Sequence, residues 1–318
     1  VYVLTICRSN DLGHLIDLSI DNLEKGAWLN LVNPTPTELI AVSKTVDVDL
    51  DILKAALDAE ERSRTEIDDN CILILTNVPI MRAKDSYDTL PLGIILTGNY
   101  TITVSLEDNP VIADFNERTA KFFRTFKKTR FLFQILYKSA TLYLKYLRQI
   151  SKLSDEIELR LRQSMKNQEL LQILELQKGL TYFNASLRSN GAVLDKLLRL
   201  RSNNNTQHII KMFEEDEDLL EDVIIENQQA KEMVEMHSKI LSRMADTFAS
   251  IISNNLNLVM KFLASITIIL AIPTMISSFF GMNVDVPFGQ DNGFIFVCVI
   301  ALTLTALCSL VLWKNDMF

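Results

Sequence analysis

The most constraining feature of this chain is a pair of long uncharged runs near its C-terminal end. Residues 262–284 and 294–313 contain no Asp, Glu, Lys or Arg, and only a short polar link separates them. Crossing about 30 Å of hydrocarbon takes roughly 20 helical residues, so each run is long enough to span a membrane. Buried helices of a soluble protein are the alternative, but two such runs in succession favour membrane spans.

The charges beside the two runs predict their orientation. Asp285 and Asp291 lie in the link, which has no Lys or Arg, whereas Lys261 precedes the first run and Lys314 follows the second. Positive flanks stay on the cytoplasmic side, so both termini are expected in the cytoplasm and the link outside. The sequence therefore predicts a multi-pass protein of a cell (inner or plasma) membrane.

A very long helix is expected to lead into the first run. Residues 206–280 contain no Gly and a single proline, Pro273, and their acidic start suits the positive end of a helix dipole. A helix of this length would reach about 110 Å. Apolar side chains at three- or four-residue steps predict one apolar stripe, whose simplest partners are copies of the chain. They are Leu219, Val223, Met233, Ile240, Met244, Phe248 and Ile251.

The upstream sequence predicts an α/β domain followed by a helical hairpin. Residues rich in β-branched side chains and bounded by turn formers predict strands at 71–79, 93–97 and 100–106, with a further apolar run at 28–32. Residues 131–200 have the periodicity of two amphipathic helices. The predicted fold is an α+β membrane protein with an α/β domain at 1–130, a hairpin at 131–205, a stalk helix at 206–255, transmembrane helices at 256–283 and 294–313, an external loop at 284–293 and a tail at 314–318.

Composition argues against several functional classes. The chain has 32 Lys and Arg against 40 Asp and Glu, a formal net charge of −8, whereas a nucleic-acid-binding protein needs a basic face. Four cysteines without paired spacing and three scattered histidines indicate neither a disulfide framework nor a transition-metal site. No Walker loop, nucleophile elbow or HExxH motif is present. We therefore predict that the protein is not an enzyme and has no cofactor.

A short motif at the outer end of the first run carries a family resemblance. The first run closes on Phe280-Gly281-Met282-Asn283, after a long helix that starts with acidic residues. This arrangement resembles the CorA family of magnesium channels, whose signature is Gly-Met-Asn at this place. Residues 28–35, 58–69 and 257–263 are also similar to family segments. The resemblance implies a homopentamer in the lipid bilayer whose five first spans line one pore, conducting Mg²⁺, and with it Co²⁺ or Ni²⁺, down the electrochemical gradient.

The resemblance also implies roles for individual residues. Gly281, Met282 and Asn283 would form the external selectivity filter, where amide oxygens accept hydrogen bonds from the waters that Mg²⁺ keeps. A helix that ends in Gly and Asn is otherwise an ordinary C-cap. Asp285 and Asp291 would concentrate cations at the entrance. The pore-lining positions would be Asn257, Met260, Leu263, Ala264, Thr267, Ala271 and Thr274.

Control of the pore is expected at two places. Met260 and Leu263 would form an apolar constriction that closes by dewetting. Acidic side chains around Asp222 would repel one another in a ring of subunits, and bound Mg²⁺ would relieve that repulsion. The resemblance implies a regulatory metal site in which Asp222 meets Asp85 or Asp88 of the adjacent subunit. A solvated helix start is the alternative interpretation of the acidic segment.

Two other functions compete with a magnesium channel. One is a member of the same superfamily that transports zinc with proton coupling, because relatives that handle zinc carry the same motif. The other is a non-conducting, membrane-anchored coiled-coil scaffold. A polar line along the first span, together with an external Gly-Met-Asn, argues against the scaffold.

Overall fold

A computed structural model describes residues 4–163, 167–201, 208–282, 289–315 and 317 of the chain. They form two compact units, Val1–Arg243 and Met244–Phe318. The first unit contains every described strand, and the second contains the two apolar segments. The helices are α1 (Pro36–Val46), α2 (Leu50–Lys54), α3 (Pro110–Ala113), α4 (Lys128–Gln163), α5 (Asn167–Leu200), α6 (Glu214–Phe280) and α7 (Gly289–Lys314).

The first unit is built around a seven-stranded mixed sheet. Its strands are β1 (Leu4–Ser9), β2 (Leu15–Asp17), β3 (Trp28–Val32), β4 (Arg64–Ile67), β5 (Cys71–Ala83), β6 (Ser86–Thr97) and β7 (Thr101–Ser105). The order across the sheet is β2-β1-β3-β7-β6-β5-β4. β3 and β7 pair in parallel, whereas the other described pairs are antiparallel. The predicted α/β domain is therefore present.

Helices cover both faces of this sheet. Leu73 and Leu75 of β5 belong to a core with residues of α1 and α2, while the alternate residues Ile72 and Ile74 are also fully buried. α4 and α5 contact β5, and α5 also contacts β6. Because side chains alternate between the faces of a strand, burial on both faces gives the continuous apolar run seen in the sequence.

Two residues of α5 explain how closely that helix packs on the sheet. A Cβ at Gly179 would lie 2.9 Å from Cβ of Tyr87 and 3.1 Å from its carbonyl oxygen, so only glycine allows this approach. The buried Asn190 accepts hydrogen bonds from the backbone N–H of Asn77 (2.9 Å) and the hydroxyl of Ser63 (2.8 Å), and donates to the Asn77 carbonyl (2.8 Å). Asn190 thus supplies hydrogen bonds to the backbone of Asn77 in β5, at a position where β4 no longer pairs with that strand.

The apolar stripe of α6 in the first unit is buried within the chain. It follows a regular three- and four-residue spacing, and Asn227 of this stripe donates a hydrogen bond to the carbonyl of Leu187 in α5 (3.2 Å). The predicted stripe is confirmed at Val223, Met244 and Phe248, which are buried, but it is wrong at Ile240, which is 45% exposed while the next residue, Leu241, is buried. The prediction that copies of the chain cover the stripe is also unnecessary here, since the chain covers it. The buried positions are Leu220, Val223, Asn227, Ala230, Val234, His237 and Leu241.

α6 begins later than the sequence predicts, at Glu214 rather than at residue 206. The backbone N–H of Phe213 donates to the carboxylate of Asp216 (3.1 Å), which fixes the start of the helix. Arg130 of α4 pairs with Glu215 (3.0 Å) and Asp216 (3.6 Å). The first acidic turn therefore caps α6, as acids near a helix N-terminus do.

Two helices are long and apolar enough to cross a membrane: α6 over its C-terminal part and α7 from Gly293 to Lys314. α7 begins at Gly289, so the predicted loop 284–293 is too long at its C-terminal side. Asp291 therefore belongs to the first turn of α7 rather than to the loop. Within the second unit, the hydroxyl of Ser265 donates to the carbonyl of Met317 (3.0 Å).

Candidate ion pathway

The membrane part of α6 has a covered side and an exposed side. Between residues 265 and 280 the covered or partly covered positions recur at three- and four-residue steps and include Ile269, Ile272 and Ile276. At about 100° per residue, Thr267, Ala271 and Thr274 lie on the opposite side, and all three are exposed. Three of the predicted pore-lining residues therefore share one accessible face of the helix.

This exposed face contains a groove of about 540 Å³. The groove brings together Thr267, Ala271 and Thr274, and adds Ser278 one turn further on. The sequence prediction missed Leu270, Met275 and Phe279, which complete its lining, because a strict small-residue pattern gives no signal for them. The groove thus alternates hydroxyl groups with apolar surface.

The threonine hydroxyls of this groove are oriented by the helix backbone. Thr267 donates to the carbonyl of Leu263 (2.8 Å) and Thr274 donates to that of Leu270 (2.8 Å). A hydroxyl that donates its hydrogen to the backbone presents only its lone pairs outward. Both hydroxyls are therefore left with acceptor capacity only towards groups outside the helix. Pro273 has no N–H, so the carbonyl four residues before it lacks its helical hydrogen-bond partner. The hydroxyl of Thr274 does not replace that partner, because it donates to the carbonyl of Leu270.

The other predicted pore-lining residues lie nearer the N-terminal end of the membrane segment. Asn257, Met260, Leu263 and Ala264 are all exposed. Every residue from 253 to 264 is exposed in this chain, so exposure does not single these four out. None of them lines the groove that contains Thr267. Their assignment to a pore stays a prediction.

The signature motif is described for its first two residues. The N–H of Gly281 donates to the carbonyl of Ser277 (2.9 Å), so the helical hydrogen bonding continues to this residue. A Cβ at Gly281 would lie 3.1 Å from that carbonyl oxygen, which is tighter than an ordinary contact. Met282 is 62% exposed. Asn283 and Asp285 lie outside the described residues, and so does the side chain of Asp291.

The predicted regulatory acids belong to no metal-ligating cluster within the described part of one chain. Asp222 is exposed on α6 and forms no ion pair with a residue that the structure describes. Asp88 of β6 pairs with Arg82 (3.1 Å), which also binds Glu107. The sequence did not predict this cluster, because its members are far apart in the chain. Asp85 lies in the β5–β6 turn with φ of 66°, a left-handed conformation that Asp tolerates. Among the described residues, no group of three or more metal-ligating side chains is assembled.

Comparison with known proteins gives a consistent answer. The family model for the CorA-like Mg²⁺ transporter protein matches residues 24–314. The cobalt/magnesium transport protein CorA of Methanocaldococcus jannaschii is 26% identical over 294 residues, covering 88% of each chain.

Solved structures agree with this fold. The complete structure of the CorA magnesium transporter from the same organism superposes with a TM-score of 0.83 at 24% identity, over 100% of this chain and 99% of that one. The full-length CmaX protein gives a TM-score of 0.71 at 16% identity, over 99% and 97% of the two chains. With a family match that covers most of its length, this chain belongs to the CorA-like Mg²⁺ transporter family.

Proposed function

We propose that this chain forms a homopentameric channel that conducts Mg²⁺ across a membrane down its electrochemical gradient. The observation that carries the proposal is the exposed face of α6, on which Thr267, Ala271 and Thr274 share one groove opposite the covered side. That face runs towards Gly281 and Met282, at the end where the resemblance assigns the selectivity filter.

Several copies of the chain are needed for such a channel. One chain contributes a single helix with a hydroxyl-bearing face, and one helix cannot enclose a pore. Five copies related by a rotation axis would bring five such faces around one axis, as closed cyclic symmetry requires. The small side chain of Ala271 would let the helices approach closely, a common property of membrane helix interfaces.

The proposed pathway suits an ion that keeps its water. Mg²⁺ loses its waters reluctantly and is commonly bound with several of them in place. Outward-facing lone pairs on Thr267 and Thr274 would accept hydrogen bonds from these waters. Five Asn283 amides at the outer end would do the same at the filter. A dication that moves through 100 mV gains about twice 2.3 kcal/mol, so no ATP-driven step is required.

The pore is proposed to close at Met260 and Leu263, because an apolar constriction formed by these side chains can exclude water. A polar ring of Asn257 side chains would lie next to this constriction. Sensing is proposed at a subunit interface where Mg²⁺ bridges Asp222 to an acid of the β5–β6 turn. Asp85 is the better partner of the two predicted acids, because Asp88 is already neutralised by Arg82. Both termini would lie in the cytoplasm.

Flux into proteoliposomes at a fixed membrane potential tests the proposal. We expect uptake of Mg²⁺ that does not require a pH gradient, and its loss in Asn283→Ala. Asn315→Ala, a substitution after the end of α7, is the matched control and is expected to leave flux unchanged. A monomeric protein by mass measurement, or undiminished flux in Asn283→Ala, would contradict the channel. Uptake of Zn²⁺ that depends on a pH gradient would favour the proton-coupled zinc transporter instead.

A further inference from the structure

A cavity of about 280 Å³ lies in the first unit, between one face of the sheet and the segment that follows β7. Its floor comes from alternate residues of β1, β2 and β3, which point to the same face of the sheet. The intervening residues of β3, Leu29 and Leu31, belong to the core on the other face. α3 and its flanking residues form the remaining wall. The volume is at the small end of the range of ligand pockets, and the proposed ion pathway does not use it.

Much of the cavity wall is aromatic or aliphatic. The rings of Trp28 and Phe115 lie with their centres 6.5 Å apart, and Ile112 lines the same space. The indole N–H of Trp28 already donates to the hydroxyl of Thr103 (2.8 Å), so the indole offers the cavity apolar surface only. A wall of this kind suits the apolar part of an organic molecule, and aromatic faces attract cations.

The charges that line the cavity are negative. Among the described residues of the lining, the charged side chains are Asp17 and Asp108. Both are exposed, and neither forms an ion pair or a hydrogen bond with a residue that the structure describes. Lys138, a cation near the end of α3, pairs with Asp114 instead (2.6 Å). The two lining carboxylates are therefore free to meet a cation that enters the cavity.

The negative charge also acts on the floor of the cavity. Cys7 is buried there, and burial raises the pKa of its thiol to about 12, with the charges of Asp17 and Glu117 adding to the increase. Carboxylates oppose the formation of a thiolate for the same reason that they favour a bound cation. This space therefore stabilises a positive charge and disfavours a negative one.

Asn109 is an independent indication of a ligand. It is 4% exposed and lines the cavity. Its Oδ1 accepts from the N–H of Ile112 (2.9 Å) and caps α3, whereas its Nδ2 has no hydrogen-bond partner among the described residues. A buried N–H group without an acceptor costs free energy, and a ligand oxygen would remove that cost. The amide of Asn116, by contrast, contacts Ala113 (2.9 Å) and Arg118 (3.0 Å) through its two ends.

We propose that this cavity binds a small organic ammonium ion that carries a carbonyl or hydroxyl oxygen. The ammonium group would lie at Asp17 and Asp108, the oxygen would accept a hydrogen bond from Nδ2 of Asn109, and the apolar part would pack on Trp28 and Phe115. Charge-assisted hydrogen bonds to the carboxylates would supply most of the affinity. The oxygen would supply selectivity, because a ligand without it leaves Asn109 unpaired.

Calorimetric titration of the full-length protein in detergent tests the proposal with three probes of similar shape. Leucinamide carries an ammonium group, a carbonyl oxygen and a branched apolar chain. Isoamylamine lacks the carbonyl, and isocaproamide lacks the ammonium group. At a pH where the amines are protonated, we expect leucinamide to bind most tightly, isoamylamine about three- to tenfold more weakly, and isocaproamide at least about tenfold more weakly.

Substitutions separate the two polar contacts. Asp17→Asn should weaken leucinamide and isoamylamine about tenfold each, since a hydrogen bond to a charged group is lost. Asn109→Ser keeps a side chain that can cap α3 and removes Nδ2. This variant should bind leucinamide only as tightly as isoamylamine, and its affinity for isoamylamine should be unchanged.

Asp21→Asn, at an exposed acid outside the cavity, is the matched control for Asp17→Asn and should bind leucinamide like the unmodified protein. Both acids are exposed, so neither variant is expected to unfold. Equal affinity for leucinamide and isocaproamide would overturn the ammonium assignment, and equal affinity for leucinamide and isoamylamine would overturn the contact with Asn109. No binding of leucinamide, or equal losses in Asp17→Asn and Asp21→Asn, would overturn the site. These measurements record binding and not flux, so they are independent of the channel proposal.

Discussion

The proposed pore makes its most specific prediction at a single threonine. Thr274→Val keeps the size of the side chain and removes the hydroxyl that faces the groove of α6. Thr303→Val in α7 is a closely matched control: Thr303 also donates to a carbonyl four residues earlier, at the same 2.8 Å, and is also exposed. Any effect of losing a helix-internal hydrogen bond is therefore common to both variants, and only the position relative to the groove differs.

The expected magnitude follows from the hydrogen bonds that the groove can offer. A neutral hydrogen bond contributes about 0.5–1.5 kcal/mol net. If one or two of the five Thr274 hydroxyls contact the waters of a passing ion at a time, their loss raises the barrier by about 1–2 kcal/mol, which is roughly a 5- to 30-fold decrease in flux. Thr303→Val should change flux by less than about twofold.

A fluorescent Mg²⁺ indicator inside proteoliposomes, with the potential set by a potassium gradient, measures both rates at equal protein content. Thermal unfolding of both variants establishes that they are comparably folded. The reasoning is refuted if the two variants lose flux equally, or if Thr274→Val transports at the unmodified rate.

Three further predictions follow from the same geometry. Asp222→Asn should keep conducting at millimolar internal Mg²⁺, measured as flux against internal Mg²⁺ concentration. Asp218→Asn, one turn earlier and also exposed, should be inhibited like the unmodified protein. Identical inhibition of the two variants would contradict a sensor at Asp222. The Met260→Gly channel should leak Mg²⁺ at high internal Mg²⁺. The Val259→Gly channel should not, although Val259 is also exposed, because it lies about 100° around the helix. Equal Mg²⁺ leaks in the two variants would argue against a gate at Met260. Asn190→Ala should destabilise the protein by about 2–4 kcal/mol, because three hydrogen bonds to β5 and its neighbours are lost. The loss would be measured as a lower unfolding temperature in detergent. An unchanged unfolding temperature would refute the expected destabilisation.

The sequence predicted the elements that bury whole apolar segments. β3 occurs at the predicted bounds, and β5 contains the predicted run from Cys71 onward, because strands buried on both faces read as continuous apolar sequence. β1, β2 and β4 were missed. β2 and β4 have only three or four residues and exposed positions, so neither has enough pattern to distinguish it from a loop. The order of the strands was not predictable either, because the parallel β3–β7 pair joins segments about seventy residues apart.

In the candidate site as well, positions determined by local spacing could be predicted, whereas contacts made by the fold could not. Thr267, Ala271 and Thr274 could be placed on one helix face because helical spacing alone determines it. The pairing of Arg82 with Asp88 and Glu107 could not be predicted, since the fold and not the spacing brings Glu107 near. The start of α6 was misplaced because the prediction followed the absence of Gly and Pro from residue 206 onward, whereas the acids suited to a helix start begin only at Glu214. The capping contact between Phe213 and Asp216 is a local detail that periodicity does not report.

The burial of the α6 stripe bears on how copies of this chain would associate. The positions from Leu220 to Leu241 are already covered within one chain, so they are not available to join subunits. In the proposed pentamer, any cytoplasmic contact that α6 makes with another copy would therefore use its exposed residues, which are mostly polar and include Asp222. An interface between like-charged polar surfaces is weak without counter-ions and strengthens when a dication bridges it. A subunit contact of this kind would respond to Mg²⁺ in the millimolar range, whereas an apolar coiled-coil seam would hold at any Mg²⁺ concentration. The buried stripe thus favours an assembly whose cytoplasmic part loosens when internal Mg²⁺ falls.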